Sequence, residues 1–305
     1  MSASVCVVGS VALDSIETPF GRVEEVLGGS CSYFSVAASF FAPVNMVAVV
    51  GTDFPEEERR FLAERGINLE GLTVAEGRTF RWRGRYHEDM NVRDTLDLQL
   101  NVFGDFRPQL PEAYRTSEFV FLANIQPGLQ AAVLSQFESV RLVGADTMDH
   151  WIREEREALL DLLRRVDLLS INDSEALLLS GERNVVAAAR RILEMGPSTL
   201  LIKRGEYGAL QFAADDVFAV PAFPLETVVD PTGAGDCFAG ALFGSLAAAG
   251  TVNRASLRRA IVHGSVLASF AVEGFGLERL RALTREEVEQ RYRQFMALTD
   301  FHTWD

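Results

Sequence analysis

The chain alternates strand and helix patterns along most of its length, which predicts an α/β fold: a three-layer α/β/α sandwich with a mainly parallel central sheet. Three observations carry that expectation. Short apolar runs sized for buried strands occur at residues 5–8, 46–50, 119–123, 141–145, 168–171 and 200–203. Each is followed by a helical pattern, at 30–41, 56–65, 129–137, 151–164, 185–195 and 234–249, with two more at 254–272 and 285–298. Polar residues that suit a ligand, Asp14, Asn124, Asp146, Asn172, Arg204 and the turn at Asp230, come just after expected strands. In such sheets ligands sit beyond the carboxyl ends of the strands, so one crevice can hold them all.

Along the chain, the run at 5–8 is too short for a signal peptide and lacks a basic flank, so it reads as a buried strand. Residues 16–26 and 72–100 break the alternation. Within the second, Thr79-Phe80-Arg81-Trp82-Arg83-Gly84-Arg85-Tyr86 alternates ring and charge, the mark of a strand with two unlike faces. The helix expected from Ala234 ends at Gly250, a stop signal. There is no internal repeat and no low-complexity linker.

Composition narrows the partners. With 305 residues, 48% of them apolar, the chain can bury a large core. A net charge of −14 argues against a nucleic-acid surface, which needs clustered Lys and Arg. Cys6, Cys31 and Cys237 are scattered and form no C-x-x-C pair, which points away from disulfides and zinc and toward a reducing cytoplasm. No apolar stretch reaches the ~20 residues that span a bilayer. The expectation is a soluble, cytoplasmic protein.

The most informative segment is Asp230-Pro231-Thr232-Gly233-Ala234-Gly235-Asp236, between an apolar run and the helix from Ala234. Its turn brings the N–H groups of Gly233, Ala234 and Gly235 to the positive end of a helix dipole, an anion site. Asp236 stands beside it in the first turn. Donors for phosphoryl oxygens next to an acid that takes a hydroxyl proton are what phosphoryl transfer to an alcohol requires. Local physics equally allows a plain strand-to-helix turn with Asp236 favouring the dipole. The spacing of Gly233, Gly235 and Gly240 does not fit G-x-G-x-x-G, and the G-x-x-x-x-G-K-[ST] loop is absent, which excludes dinucleotide and Walker-type readings.

The heptad resembles the C-terminal signature of the ribokinase-like (phosphofructokinase B-type) carbohydrate kinases. The resemblance also takes in Asp14, the pair Gly28-Gly29, Val50-Gly51-Thr52-Asp53, Asn172-Asp173-Ser174-Glu175 and Val272-Glu273-Gly274, nearly the full chain. It implies a single ribokinase-like domain over 1–305 with a small β-lid formed by about 12–27 and 70–103. Asp236 would be the general base, with Gly233, Ala234 and Gly235 as the anion hole. Asp14, Gly28 and Gly29 would hold the acceptor. Asp230 and Thr232 would form a monovalent-cation site, K⁺ being the candidate. Asn172 and Glu175 match the N-x-x-E motif, Glu175 organising Mg²⁺ indirectly, although the pair also reads as a helix capping box. Lys203, Arg204, Gly205 and Ser265 fall on the nucleotide side.

Two positions depart from the better-known pattern. Tyr33 replaces the Asn of Gly-Gly-x-x-x-Asn, and Asn124 stands where an acid is frequent, so the acceptor does not carry over. Arg81 and Arg83 read either as acceptor contacts or as solvated lid residues. The leading expectation is an ATP- and Mg²⁺-dependent kinase of a sugar or sugar-like polyol. The alternatives are a nucleoside kinase, with Tyr33, Phe34 or Trp82 stacking on a base, and a catalytically silent sugar or nucleotide sensor. A homodimer through the lid is compatible with the apolar residues Phe80, Trp82 and Tyr86.

Overall fold

Continuous apolar runs flanked by helices belong to strands covered on both faces, and β1 (Val5–Val8) shows it, with every side chain buried. The computed structural model describes residues 3–300. After β1 come β2 (Ala12–Thr18), β3 (Gly21–Gly28), α1 (Ser30–Ala38), β4 (Val44–Gly51), α2 (Glu56–Glu64) and β5 (Ile67–Ala75). Then follow β6 (Phe80–Tyr86), β7 (Arg93–Gln99), β8 (Phe119–Leu122), α3 (Pro127–Leu134), β9 (Leu142–Ala145), α4 (Asp149–Glu154) and α5 (Arg156–Leu163). The remainder is β10 (Leu168–Asn172), α6 (Asp173–Ser180), α7 (Val185–Leu193), β11 (Thr199–Lys203), β12 (Ala209–Ala213), β13 (Asp216–Val220), α8 (Ala234–Ala249), α9 (Arg254–Ala271), α10 (Glu278–Ala282) and α11 (Arg285–Thr299).

A nine-stranded sheet runs β13-β12-β11-β10-β9-β8-β1-β4-β5. It is parallel from β11 to β5, and only β12 and β13 join antiparallel at one edge. One face packs on α1, α8, α9 and α11, where Phe34 stacks on Phe121 at 4.7 Å and Phe243 meets Phe121 at 5.1 Å. The other face packs on α3, α5, α6 and α7 through Val133, Leu159, Leu179 and Ile192. This is the α/β/α sandwich that the strand–helix alternation predicts.

A separate four-stranded sheet, β3-β2-β6-β7, stands outside the sandwich. Residues 70–75, counted from the sequence with the lid region, belong instead to the large sheet. They pair in parallel with β4, Val47 opposite Gly71 and Val50 opposite Val74. The helix expected over 151–164 is two, broken at Glu155 (φ −125°, ψ 34°). The β12–β13 hairpin was not expected from the sequence.

Helix α8 comes within backbone distance of α1. A Cβ on Gly240 would lie 2.2 Å from the Phe34 carbonyl oxygen, and one on Gly244 2.6 Å from that of Ala38. Backbone cannot yield as a side-chain tip can, so a methyl group here separates the two helices. Gly240→Ala is expected to lose about 1–3 kcal/mol in urea unfolding. Gly128→Ala, with open space around it, is expected to stay within about 0.5 kcal/mol.

Candidate active site

Gly233 is the N-cap of α8 in the left-handed conformation (φ 74°), with no side chain capping the helix. A Cβ at 233 would fall 2.3 Å from Cγ of Tyr33, so glycine is required both by conformation and by the ring beneath it. The Ala234 N–H donates to the Pro231 carbonyl at 3.2 Å. The N–H groups of Gly233 and Gly235 have no protein acceptor among the described residues, so those two are the donors left open to an anion. Ala234, expected as a third, is engaged inside the turn.

Asp236, in the first turn of α8, is half-buried, and desolvation pushes its carboxyl up to about 7, helped by Asp146 and opposed by Lys203 and Arg93. Lys203 ends β11, its Nζ 3.7 Å from Asp146 Oδ2 and 3.0 Å from where a Cβ on Gly235 would lie. Burial works against this ammonium, yet Asp146, Glu175 and Asp236 carry it above its usual range. Glu175 is raised to about 7 by burial and by Asp146. Asn172 and Glu175 form the capping box: the Glu175 N–H donates to Asn172 Oδ1 and the Asn172 N–H to Glu175 Oε2, both at 2.8 Å. The cap fixes Glu175 beside Asp146 and Lys203. Two neighbouring carboxylates, of which Asp146 raises Glu175, suit Mg²⁺ held through water and phosphates, because hard oxygen ligands from few residues are its habit.

At the acceptor end, Asp14 on β2 is buried and lifted to about 7, chiefly by desolvation, while a backbone N–H from Gly29 favours its charged form. A Cβ on Gly28 would sit 1.9 Å from Asp14 Oδ2, so this glycine gives the carboxylate its place. Tyr33 is buried with its hydroxyl unpartnered among the described residues, in electrostatic reach of Asp14 and Asp230. Strand pairing puts Asp14 beside Trp82, and Tyr86 opposite Arg93. The same face of the small sheet therefore carries Asp14, Trp82, Tyr86 and Arg93. Tyr86 reaches the heptad, accepting a hydrogen bond from Thr232 Oγ1 at 3.1 Å.

Arg81 and Arg83 alternate onto the opposite face. Arg81 bonds Glu25 at 2.7 Å and Asp53 at 2.8 Å, and Asp53 also accepts from the Thr79 N–H and hydroxyl. Val50-Gly51-Thr52-Asp53 thus fastens the end of β4 to the start of β6. The inward cation is Arg93, which the sequence reading did not single out. Asn124 ends β8, but its Oδ1 accepts from Trp151 Nε1 at 2.9 Å and its amide donates to Met148, so its side chain anchors α4.

On the nucleotide side, Arg204 and Gly205 continue from β11, with Arg204 5.6 Å from the Tyr207 ring. A Cβ on Gly205 would lie 2.7 Å from Asn91 Oδ1, so the tip of the β6–β7 hairpin rests on this loop. Ser265 is buried in α9, which packs on α8, and has no bond to the Lys203–Gly205 loop among the described residues. Asp230 is buried, accepting the N–H of Thr232 and of Gly276, each at 2.9 Å. No cationic side chain pairs with it among the described residues.

An open pair of helix-terminal donors, a half-buried acid beside them and the buried carboxylate of Asp14 on the small sheet are the groups that phosphoryl transfer to an alcohol requires. Residues 2–281 match the family model for pfkB family carbohydrate kinases, and the chain belongs to that family. It is an ATP-dependent kinase. A cytidine kinase of Thermococcus kodakarensis is 31% identical over 242 residues, 77% of this chain and 85% of that protein. An inositol 3-kinase of Arabidopsis thaliana is 26% identical over 95% of this chain and 81% of that protein. The nucleoside kinase of Methanocaldococcus jannaschii superposes with a TM-score of 0.77 at 20% identity, covering 96% of this chain and 98% of that one. Among the described residues no helix is long and apolar enough to cross a membrane.

The sequence expectation that Asp236 is the base sets a pH dependence, because a base must be ionised to take a proton and desolvation lifts this carboxyl to about 7. The value of kcat/KM is therefore expected to rise with pH through about 7 and level off above it, read from initial rates of ADP release. Asp236→Asn is expected to lower kcat roughly 10²–10⁴-fold with the fold unchanged by circular dichroism.

Proposed function

We propose that this kinase, using ATP with Mg²⁺, phosphorylates a hydroxyl of a nucleoside. The observation that carries the acceptor is the aromatic set around one carboxylate: Tyr33 under the heptad, with Trp82 and Tyr86 on the face of the small sheet that bears Asp14. A flat indole offers stacking to a base, and a buried carboxylate accepts two sugar hydroxyls. The similarity to a cytidine kinase over most of the chain favours the same acceptor class. A sugar or cyclitol is the second reading, supported by the similarity to an inositol 3-kinase along nearly the whole chain.

In this reading Asp14 grips the acceptor, Asp236 removes the hydroxyl proton, and Gly233 and Gly235 hold phosphoryl oxygens. Lys203, Arg204 and Gly205 border the nucleotide, and Mg²⁺ is held near Asp146 and Glu175 through water and phosphates. The metal supplies charge neutralisation of the phosphates. Asp230 and the Thr232 carbonyl serve K⁺, since a buried carboxylate without a cationic partner is a costly arrangement that a bound cation relieves. The buried thiols Cys6, Cys31 and Cys237 fit a cytoplasmic location. The small sheet acts as a lid, and two copies pair through its edge strand β7, where Leu96 and Leu98 are exposed, as is Leu100 just past its end.

ADP release across cytidine, inosine, adenosine, ribose, fructose and myo-inositol tests the acceptor. Turnover confined to nucleosides is expected, and turnover confined to free sugars or the cyclitol overturns the reading. For the assembly, sedimentation velocity should show a dimer that Leu98→Lys converts to monomer. A wild type that sediments as a monomer at tens of micromolar removes the dimer.

A further inference from the structure

More carboxyl groups than cationic side chains gather in the crevice. Asp14 lies within electrostatic reach of Asp230 and Asp236, and Asp236 and Glu175 within reach of Asp146. Against these carboxylates stands Lys203, already drawn to Asp146. A polyphosphate entering this space needs a further cation where the transferred group passes.

Arg93 is placed to be that cation. It is the first residue of β7, directly after the hairpin tip whose Asn91 rests on Gly205. The hairpin therefore spans from the small sheet to the loop at Gly205, and Arg93 stands two residues from that contact. Its guanidinium carbon is 5.5 Å from the Trp82 ring centroid, and strand pairing sets it opposite Tyr86, whose hydroxyl accepts from Thr232 beside the Gly233 turn. Among the described residues it has no carboxylate within salt-bridge distance, unlike Arg81 and Arg85 of the same sheet. Its charge is felt by both Asp14 and Asp236, the acids expected at the two ends of the acceptor hydroxyl's path.

We propose that Arg93 is a catalytic residue, delivered by the hairpin, whose guanidinium binds the equatorial oxygens of the phosphoryl group in transit. The proposal rests on the phosphoryl-transfer reading of the site. The acceptor oxygen bonds the γ-phosphorus while the bond from that phosphorus to the β–γ bridging oxygen breaks. ADP leaves with the bonding pair, and the hydroxyl proton passes to Asp236. Charge on the three equatorial oxygens is shared by the Gly233 and Gly235 amides, the metal and the planar fork of Arg93, which matches phosphate geometry as an ammonium does not.

The test compares Arg93→Ala and Arg93→Lys with the wild type in the full-length protein. Arg93 is exposed, so both variants are expected to keep the wild-type melting temperature. For Arg93→Ala, kcat is expected to fall about 10²–10³-fold with KM for ATP and acceptor changed less than about threefold. Added guanidinium, at concentrations that leave the melting temperature unchanged, is expected to restore part of it, and Arg93→Lys to be intermediate. Arg93 opposes the upward push on Asp236, which Asp14, Asp146, Lys203 and the Cys31 and Cys237 thiols also face. Its loss should therefore move the acidic limb of kcat/KM to higher pH, which a purely structural role would not do.

An unchanged kcat overturns the proposal. So does a loss confined to the acceptor's KM, which would make Arg93 a reader of an anionic acceptor. A wild type silent on every nucleoside and sugar counts against the acceptor reading instead. The variants are then compared in slow ATP hydrolysis, with water as acceptor, where a drop in Arg93→Ala supports the role and an equal rate removes it.

Discussion

Everything at the site depends on how closely α8 lies against α1. The two backbones meet at Gly240 and Gly244 with room for hydrogen alone, and this brings the start of α8 down over the Tyr33 ring. From that contact follow the left-handed Gly233, the free amides of Gly233 and Gly235, and the half-buried position of Asp236. A helix dipole and open donors are common, but here their position is set by main-chain contact, which does not relax as side chains do. The open donors are therefore built into the packed sandwich, while Asp14, Trp82 and Tyr86 sit on the small sheet outside it.

The electrostatics follow from the same packing. Burying several carboxylates in one crevice costs desolvation, and the cost shows as the elevation of Asp14, Glu175 and Asp236 toward neutrality. Carboxyl groups gathered in this way are better satisfied when a cation lies among them. Groups poised near neutrality are also well suited to exchange protons, so the strain of burial and the chemistry have one origin.

How much of this was legible in the sequence depends on how local each signal is. The glycine-rich turn, helix α8 and strand β1 could be read because their determinants lie within a few residues: an apolar run, a stop glycine, an acid in the first turn. The capping box of Asn172 and Glu175 was legible for the same reason. Residues 70–75 were not, since only pairing with β4 decides which sheet they join. Arg93 was missed because the ring–charge alternation of β6 draws the eye to Arg81 and Arg83, whereas the inward face is set by register. The bulge between Arg83 and Gly84 puts Arg93 opposite Tyr86, and nothing in the run after it announces that. For Asn124 the place after a strand was legible, but not that the indole of Trp151 donates to its carbonyl oxygen.

The parentage of the small sheet has a consequence for how the chain folds. Its central pair joins β2 to β6 in parallel, Ala12 opposite Phe80, so β3, α1, β4, α2 and β5 all lie in the loop that this contact closes. The entropy of that closure must be met before the pair gains anything, unless β1, β4 and β5 have already drawn the ends together. The large sheet is then the template on which the small one condenses. The acceptor site would be the last part of the molecule to be completed and, in native-state hydrogen exchange, among the first to open.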